Sequence, residues 1–126
     1  MKQFRNIRYW VSEDGEVFSY FPTKHNFYSG RSLPYITEEK WKVKKTYYNR
    51  GYEIISLLID NKRTNFQIHR LVAELYIPGY FKGAHVDHID CNILNNHYTN
   101  LQWCTKEYNV KKGSNPTFPL YSEWNK

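Results

Sequence analysis

Apolar and polar residues alternate with a period of two near the start of the chain, the spacing that places every second side chain on one face of a strand. Two such runs, residues 9–11 and 17–20, lie on either side of the turn sequence Asp14-Gly15 and predict a β-hairpin. Residues 21–39 carry prolines and a glycine among polar residues, which predicts a loop or a poorly ordered connection.

Strand-like patterning continues further along the chain. Residues 40–44 alternate Lys with apolar residues, and two runs rich in aromatic and β-branched residues follow at 47–58 and 64–68. Residues 49–51, Asn-Arg-Gly, indicate a hairpin turn inside the first of these runs. We therefore expect a small antiparallel sheet over residues 40–68.

The spacing of apolar residues then changes from that of a strand to that of a helix. Leu71, Val72 and Leu75 form one apolar stripe within residues 69–77, and a Pro-Gly pair ends the pattern. An amphipathic helix is therefore predicted to follow the sheet and to pack on it.

Two short apolar runs, residues 85–89 and 101–104, flank a long polar loop rich in Asn. Thr105 after the second run is a suitable N-cap for a following helix. On a regular strand the neighbours Asp87 and His88 would point to opposite faces. If both act at one place, the strand must bend there or end there.

The composition is basic and aromatic. The chain has 126 residues, which favours one compact domain, and its 18 Lys and Arg against 12 Asp and Glu give a net charge of +6. A basic chain suits a polyanionic partner, because phosphate contacts and counterion release supply most nonspecific affinity for nucleic acid. The alternative, at about even odds from charge alone, is that the basic charge only aids solubility.

The two cysteines, Cys91 and Cys104, are too few for a disulfide framework. A zinc site formed by these cysteines with His85 and His97 is rejected, because structural zinc ligands usually come in close pairs such as Cys-x₂-Cys. The first residues lack the apolar run of a signal peptide, and no stretch has the roughly 20 apolar residues of a membrane span. We expect a soluble, cytoplasmic protein, in the host cell if a phage encodes it.

Several residue types recur at fixed offsets over about 25 positions of the second half. They are Asp87-His88, Asn95-Asn96, Asn100-Leu101-Gln102-Trp103 and Asn109. This order resembles the signature of the HNH endonuclease family, in particular its phage- and intron-encoded homing endonucleases with a ββα-metal site. Residues 9–19 and the run His-Arg-Leu-Val-Ala that begins at His69 also resemble segments that precede the site in such enzymes.

The resemblance implies an α+β fold, in which a small antiparallel sheet plus a helix is followed by a ββα-metal nuclease motif. We divide the chain into three parts on this basis. Residues 1–80 form a β-rich module with a helix that contacts DNA, residues 81–112 form the nuclease core, and residues 113–126 form a tail. The Tyr and Trp side chains of the tail either pack back on the domain or contact nucleic acid.

The resemblance also implies a role for each signature residue. Asp87 and Asn109 would hold one divalent ion, Mg²⁺ or Mn²⁺, and His88 would act as general base on water. Asn100 would pin the loop and keep His88 oriented. His85 is an auxiliary candidate near the metal or phosphate, with a surface histidine as the alternative.

Double-stranded DNA is the expected partner. The residues predicted to contact it are Lys40, Lys42, Lys44, Arg63, His69, Arg70, Lys111 and Lys112. For the first three, an ordinary solvated strand face is an equally weighted alternative.

One residue departs from the family pattern. Homing enzymes of this type often have Asp-Gly-Asn in the loop, whereas this chain has Asp90-Cys91-Asn92. If the glycine serves a positive φ, Cys91 would strain the turn. The proposed catalytic residues are all present, which favours an endonuclease over the competing hypothesis of a noncatalytic DNA-binding module with a decayed nuclease motif. Nicking by a monomer and two-strand cutting by a homodimer both stay open.

Overall fold

The computed structural model describes residues 1–5, 8–22 and 39–126, with side chains described outside residues 20–22 and 39–42. The chain forms three small antiparallel sheets and three helices within these ranges. This arrangement confirms the α+β class. Within the described residues, no helix has the length and apolar character needed to cross a bilayer.

The first sheet contains four strands in chain order. They are β1 (Lys2–Gln3), β2 (Tyr9–Val11), β3 (Val17–Pro22) and β4 (Glu39–Val43). The turn between β2 and β3 confirms the hairpin predicted around Asp14-Gly15. Gly15 is required there, since its φ is +92° and a Cβ at this position would lie 2.5 Å from Ile68 Cγ2.

The second sheet contains β5 (Tyr47–Asn49), β6 (Tyr52–Ile59) and β7 (Lys62–Gln67), in that order. The predicted sheet over residues 40–68 is therefore wrong in one respect. β4 pairs with β3, with Phe18 opposite Val43, and belongs to the first sheet. A period of two identifies a strand but does not identify its partner.

The loop predicted at residues 21–39 lies mostly outside the described residues. At its two ends, residues 21–22 belong to β3 and residue 39 begins β4, so the prediction was too long there.

The helix α1 (Ile68–Tyr76) lies at the centre of the fold and begins one residue earlier than predicted. It contacts β6 and β7 on one side and, on the other, the hairpin of β8 (His85–His88) and β9 (Leu101–Cys104). Its buried face carries Ile68, Leu71 and Val72. Burial of each such side chain contributes about 1.5–3 kcal/mol, so α1 joins the sheets to the hairpin mainly through apolar contact.

The helix α2 (Lys106–Lys112) follows β9 directly, and Thr105 caps it as predicted, with Oγ1 accepting a hydrogen bond from Tyr108 N at 3.1 Å. A last short helix, α3 (Tyr121–Trp124), packs against α2 through the buried ring of Tyr108. Of the two alternatives for the tail, the structure therefore has its aromatic side chains packed on the domain.

Candidate active site

The end of β8 brings the two central signature residues to one place. Asp87 and His88 both line a cavity of about 330 Å³, together with Asn109 of α2. Both residues lie at the end of β8, so the cavity that they line lies at the end of the strand. This is one of the two arrangements that the sequence required.

The His88 imidazole is buried, with 5% of its surface exposed, and Nε2 lies 2.8 Å from Asn96 Oδ1. An amide oxygen can only accept a hydrogen bond, so Nε2 of the neutral ring carries the proton. The other ring nitrogen, Nδ1, then has the lone pair that could take a proton from water.

The side chain of His69 packs beside His88, with ring centroids 5.0 Å apart. Burial, then repulsion from His88 and from Arg70, lowers the pKa of His69 to about 3, so the ring is neutral at neutral pH. His69 was predicted to contact DNA. The structure instead places it against the base candidate, with 7% of its surface exposed, which does not fit direct DNA contact.

Asp87 is held by two donors on the same oxygen. Its Oδ2 accepts from Lys112 Nζ at 2.6 Å and from Gln102 Nε2 at 2.9 Å. Gln102 is the residue opposite Asp87 in the β8–β9 register. Among the described residues no donor contacts Oδ1, so that oxygen is the one available to a ligand.

Lys112 lies buried behind Asp87, with 1% of its side chain exposed. Its ammonium also donates to the carbonyl oxygens of His88 and Ile89, both at 2.9 Å, so all three of its donors have acceptors. The prediction that Lys112 contacts DNA does not fit this burial. The ammonium joins α2 to the end of β8.

Asn109 lies one turn before Lys112 on α2, and within the described part of the chain its side-chain amide makes no hydrogen bond. Asp87 and Asn109 line the same cavity, and each carries a hard oxygen donor of the kind that suits a cation such as Mg²⁺. No group of three or more His, Cys, Asp or Glu arranged to hold a metal occurs in the described ranges. A divalent ion would therefore take these two oxygens and complete its shell with water and phosphate.

The Asn100 side chain hydrogen-bonds within the loop, but among the described residues it makes no hydrogen bond to the His88 ring. Its amide oxygen accepts from Asp90 N, and its NH₂ group donates to Asp90 Oδ1 and to the Asn95 carbonyl. The His88 ring bonds to Asn96 instead, with Nε2 donating to Asn96 Oδ1. Asn96, and not Asn100, is therefore the residue that hydrogen-bonds to the ring of His88.

The Asp90 carboxylate accepts three hydrogen bonds in this loop, from Asn92 N, Asn95 Nδ2 and Asn100 Nδ2. Burial alone would raise the pKa of Asp90, but hydrogen bonds from the Asn95 side chain, the Asn92 backbone and the Asn100 side chain lower it overall. An ionised Asp90 accepts these bonds more strongly than a protonated one, so its charge helps to hold the loop.

The two cysteines differ in environment. Cys91 has a φ of 65°, the left-handed conformation that a glycine would adopt without strain. Cys104 is fully buried, and burial, followed by repulsion from Asp87, raises the pKa of its thiol to about 12. Cys104 is therefore an uncharged apolar residue of the interior.

The remaining predicted residues lie away from the cavity. His85 begins β8 and does not line it. Lys44 and Arg63 line a second cavity of about 560 Å³, and Arg70 lines a third. Lys111 is exposed on α2, whereas the side chains of Lys40 and Lys42 lie outside the described residues.

The sequence analysis gave no site role to Glu53 or Tyr52, and it did not identify Gln102 as a hydrogen-bond donor to Asp87. Glu53 Oε1 accepts from Asn96 Nδ2 at 3.1 Å, and Tyr52 lines the cavity. Gln102 could have been found, because a strand pairing in the hairpin places it opposite Asp87. Glu53 gave no signal, since it lies 43 residues from Asn96 in an ordinary strand pattern.

Comparison with known proteins points in one direction. A family model described as HNH endonuclease matches residues 66–111. DNA endonuclease I-HmuI of Bacillus phage SP01 is 40% identical over 103 residues, which are 82% of this chain and 49% of that protein. An uncharacterized HNH endonuclease of Acanthamoeba polyphaga mimivirus is 34% identical over 105 residues, or 83% of this chain and 27% of that protein.

A solved structure, described as DNA binding and cleavage by the HNH homing endonuclease I-HmuI, superposes with a TM-score of 0.66 at 34% identity. The match covers 95% of this chain and 60% of the other. This chain thus spans half or less of the length of these two curated relatives.

Proposed function

The chain belongs to the HNH endonuclease family, and from that premise we propose that it hydrolyses phosphodiester bonds of double-stranded DNA in a metal-dependent reaction at the end of β8. The observation that carries the proposal is the meeting of Asp87, His88 and Asn109 at one cavity. These are a carboxylate, an imidazole and an amide, and between them they can hold a hard cation and accept a proton.

In this proposal the chain holds and aims its own groups. Asp87 Oδ1 and the Asn109 amide oxygen would hold the divalent ion, while Lys112 and Gln102 fix Asp87 through Oδ2. When bound, the ion would stabilise negative charge on the phosphate and on the departing 3′ oxygen. His88 Nδ1 accepts the proton of the attacking water, a step worth about 10²–10⁴ in rate.

DNA as the substrate is inferred from the relatives and from charge. I-HmuI is named as a DNA endonuclease, and its solved structure concerns DNA binding and cleavage. In this chain Lys44, Lys45 and Arg63 line one cavity with the aromatic ring of Tyr47. Such a basic surface suits phosphate contact. With one such site among the described residues, the simplest reaction is a nick in one strand.

The test uses supercoiled plasmid with the wild-type protein and His88→Ala, in Mg²⁺, in Mn²⁺ and in EDTA. We expect metal-dependent conversion to open circle that falls at least 100-fold in the variant, in line with loss of general-base action. His97→Ala is the matched control, because His97 lies in the same loop region outside the cavity. Circular dichroism confirms that each variant folds.

Open circle that accumulates before linear product would support nicking. Full activity of His88→Ala would rule out the proposed base. A gel shift without cleavage in either metal would favour the noncatalytic DNA-binding module over the endonuclease.

A further inference from the structure

A chain of hydrogen bonds connects the second sheet to the His88 imidazole. Thr46 Oγ1 donates to Glu53 Oε2 at 2.7 Å, and Asn96 Nδ2 donates to Glu53 Oε1 at 3.1 Å. At the far end, Asn96 Oδ1 lies 2.8 Å from His88 Nε2. Asn96 and His88 are both buried, with 3% and 5% of their surfaces exposed.

The chemistry of these groups allows one direction of donation. A carboxylate only accepts hydrogen bonds, so the NH₂ end of Asn96 must face Glu53 and its oxygen must face His88. The oxygen in turn accepts only, so the neutral imidazole carries its proton on Nε2. Glu53 therefore determines, through Asn96, that Nδ1 is the nitrogen with the lone pair.

Neighbouring side chains limit the orientations that the His88 imidazole can adopt. The rings of His69 and Tyr52 lie beside His88, with centroids 5.0 Å and 6.3 Å away. These contacts restrict rotation of the imidazole. In the loop, the Asn100 side chain bonds to Asp90 and Asn95, and among the described residues it makes no hydrogen bond to the His88 ring. The connection through Asn96 is thus the one that acts on the ring nitrogen.

We propose that Glu53 and Asn96 are positioning residues that fix the tautomer and orientation of His88 and thereby reserve Nδ1 for proton acceptance. Without Glu53, the Asn96 amide could rotate by half a turn and present NH₂ to Nε2. The imidazole would then favour a proton on Nδ1, the nitrogen that must be free. The effect on cleavage rests on the proposed function, whereas the tautomer is a property of the protein alone.

The first measurement is the tautomer of His88 in ¹⁵N-histidine-labelled protein, by two-dimensional ¹H–¹⁵N NMR at about pH 8, where ordinary imidazoles are neutral. Wild type is expected to show His88 with the proton on Nε2 alone. A proton on Nδ1 in wild type would overturn the proposal without any variant. Loss of the His88 signals in His88→Ala assigns them.

The second measurement compares two variants at one position. Glu53→Met keeps the length of the side chain but has no acceptor, and Glu53→Gln keeps an acceptor oxygen for Asn96. We expect a mixture of tautomers in Glu53→Met and the wild-type tautomer in Glu53→Gln. Glu107→Met, an exposed site on α2, is the control. Two results would overturn the proposal that Glu53 fixes the His88 tautomer through Asn96. One is a wild-type tautomer in folded Glu53→Met, and the other is a mixture of tautomers in Glu53→Gln equal to that in Glu53→Met.

Nicking kinetics supply the third readout. Glu53→Met should lower kcat by about ten- to a hundredfold, part of the general-base contribution, and leave KM for DNA within about twofold. Glu53→Gln should restore kcat. If kcat/KM of Glu53→Met fell by the same factor because KM rose while kcat stayed unchanged, Glu53 would not be a positioning residue for His88. If the wild type does not cleave DNA at all, the proposed function fails. The NMR result still decides whether Glu53 and Asn96 fix the tautomer of His88.

Discussion

Cys91 has a left-handed backbone conformation, which fits a side chain with a Cβ poorly. Its φ of 65° costs an L-residue about 1–2 kcal/mol, and glycine in its place would avoid that cost while losing about 0.5–1 kcal/mol to its freer unfolded chain. Cys91→Gly is therefore expected to raise the free energy of unfolding by about 0.5–1 kcal/mol. Urea denaturation measures the change.

Cys91→Ala is the matched control, because it removes the thiol and keeps the Cβ. It should gain nothing from relief of the backbone. If both variants were stabilised equally, the thiol and not the conformation would be the source of the strain.

Lys112 is the residue whose burial most constrains the site. Its ammonium bonds to Asp87 and to two carbonyl oxygens with 1% of the side chain exposed. Lys112→Met keeps the apolar stem but leaves a largely buried carboxylate without its counter-ion. Removal of one partner of a buried pair costs about 3–5 kcal/mol, and we expect a loss near the lower value because Asp87 also faces the cavity.

Unfolding in urea tests this prediction, with Lys111→Met as the control on the exposed side of the same helix. The control should change stability by less than about 0.5 kcal/mol. A loss below 1 kcal/mol in Lys112→Met would mean that water replaces the ammonium at little cost.

At the scale of elements, α3 is attached to α2 by one side chain. The Tyr108 hydroxyl donates to the Pro119 carbonyl at 2.6 Å and accepts from Gln102 Nε2 at 3.1 Å, and its ring contacts Tyr121 and Trp124. Tyr108→Phe keeps the ring and removes the hydroxyl. We expect a loss of about 1–2 kcal/mol, because the Pro119 carbonyl loses its donor.

Hydrogen exchange gives the local readout for this variant. The amides of residues 121–125 should exchange faster in Tyr108→Phe, while those of β6 keep their rates. Tyr121→Phe is the control, since the Tyr121 hydroxyl has no hydrogen bond among the described residues. Unchanged exchange at 121–125 would show that the ring contacts and the hydrogen bond from Tyr121 N to Gln102 Oε1 hold α3 without the Tyr108 hydroxyl.

The elements were largely predictable because their signals are local. Helical spacing placed α1 to within one residue, and the Thr105 cap placed the start of α2. Alternation and turn residues identified the hairpins, although β3 extends two residues beyond its predicted run and β7 begins two residues before its own. The pairing of β4 with β3 was missed, because it joins residues 17 to 25 positions apart, and no local pattern encodes such a pairing.

The site residues were likewise only partly predictable from the sequence. Asp87, His88 and Asn109 were assigned from the resemblance of their spaced residue types to the HNH signature, and the structure brings them to one cavity. Glu53 was missed and Lys112 was assigned to the surface, because neither burial nor a bond between distant residues can be read from one sequence. A lysine in the last turn of a helix is usually solvated, and here the carboxylate of Asp87 changes that.

At the scale of the whole molecule, one continuous core connects the sheets to the site. Buried residues of the first sheet, of β6 and α1, and of the β8–β9 hairpin belong to the same cluster. The turn between β2 and β3 also contacts the site loop directly, since Tyr98 N donates to the Glu13 carbonyl at 2.9 Å. Stability and the geometry of the site are therefore coupled.

His69 lies within this connected region and makes stability depend on pH. Burial, first of all, lowers its folded pKa to about 3, whereas an unfolded histidine titrates near 6.5. Between these values the unfolded chain binds more protons than the folded one, so the free energy of unfolding rises with pH across this window. Stability is thus lost as the pH falls from about 6.5 towards 3.

His69→Phe removes this titration and keeps an aromatic ring against His88. The free energy of unfolding, measured in urea at several pH values from 8 to 5, should fall more steeply in wild type than in the variant. By pH 5 the difference should reach the order of 2 kcal/mol, about 1.4 kcal/mol for each pH unit below the unfolded pKa. The carboxylates titrate in both proteins and cancel in the comparison, so parallel curves would mean that His69 becomes protonated in the folded protein without cost.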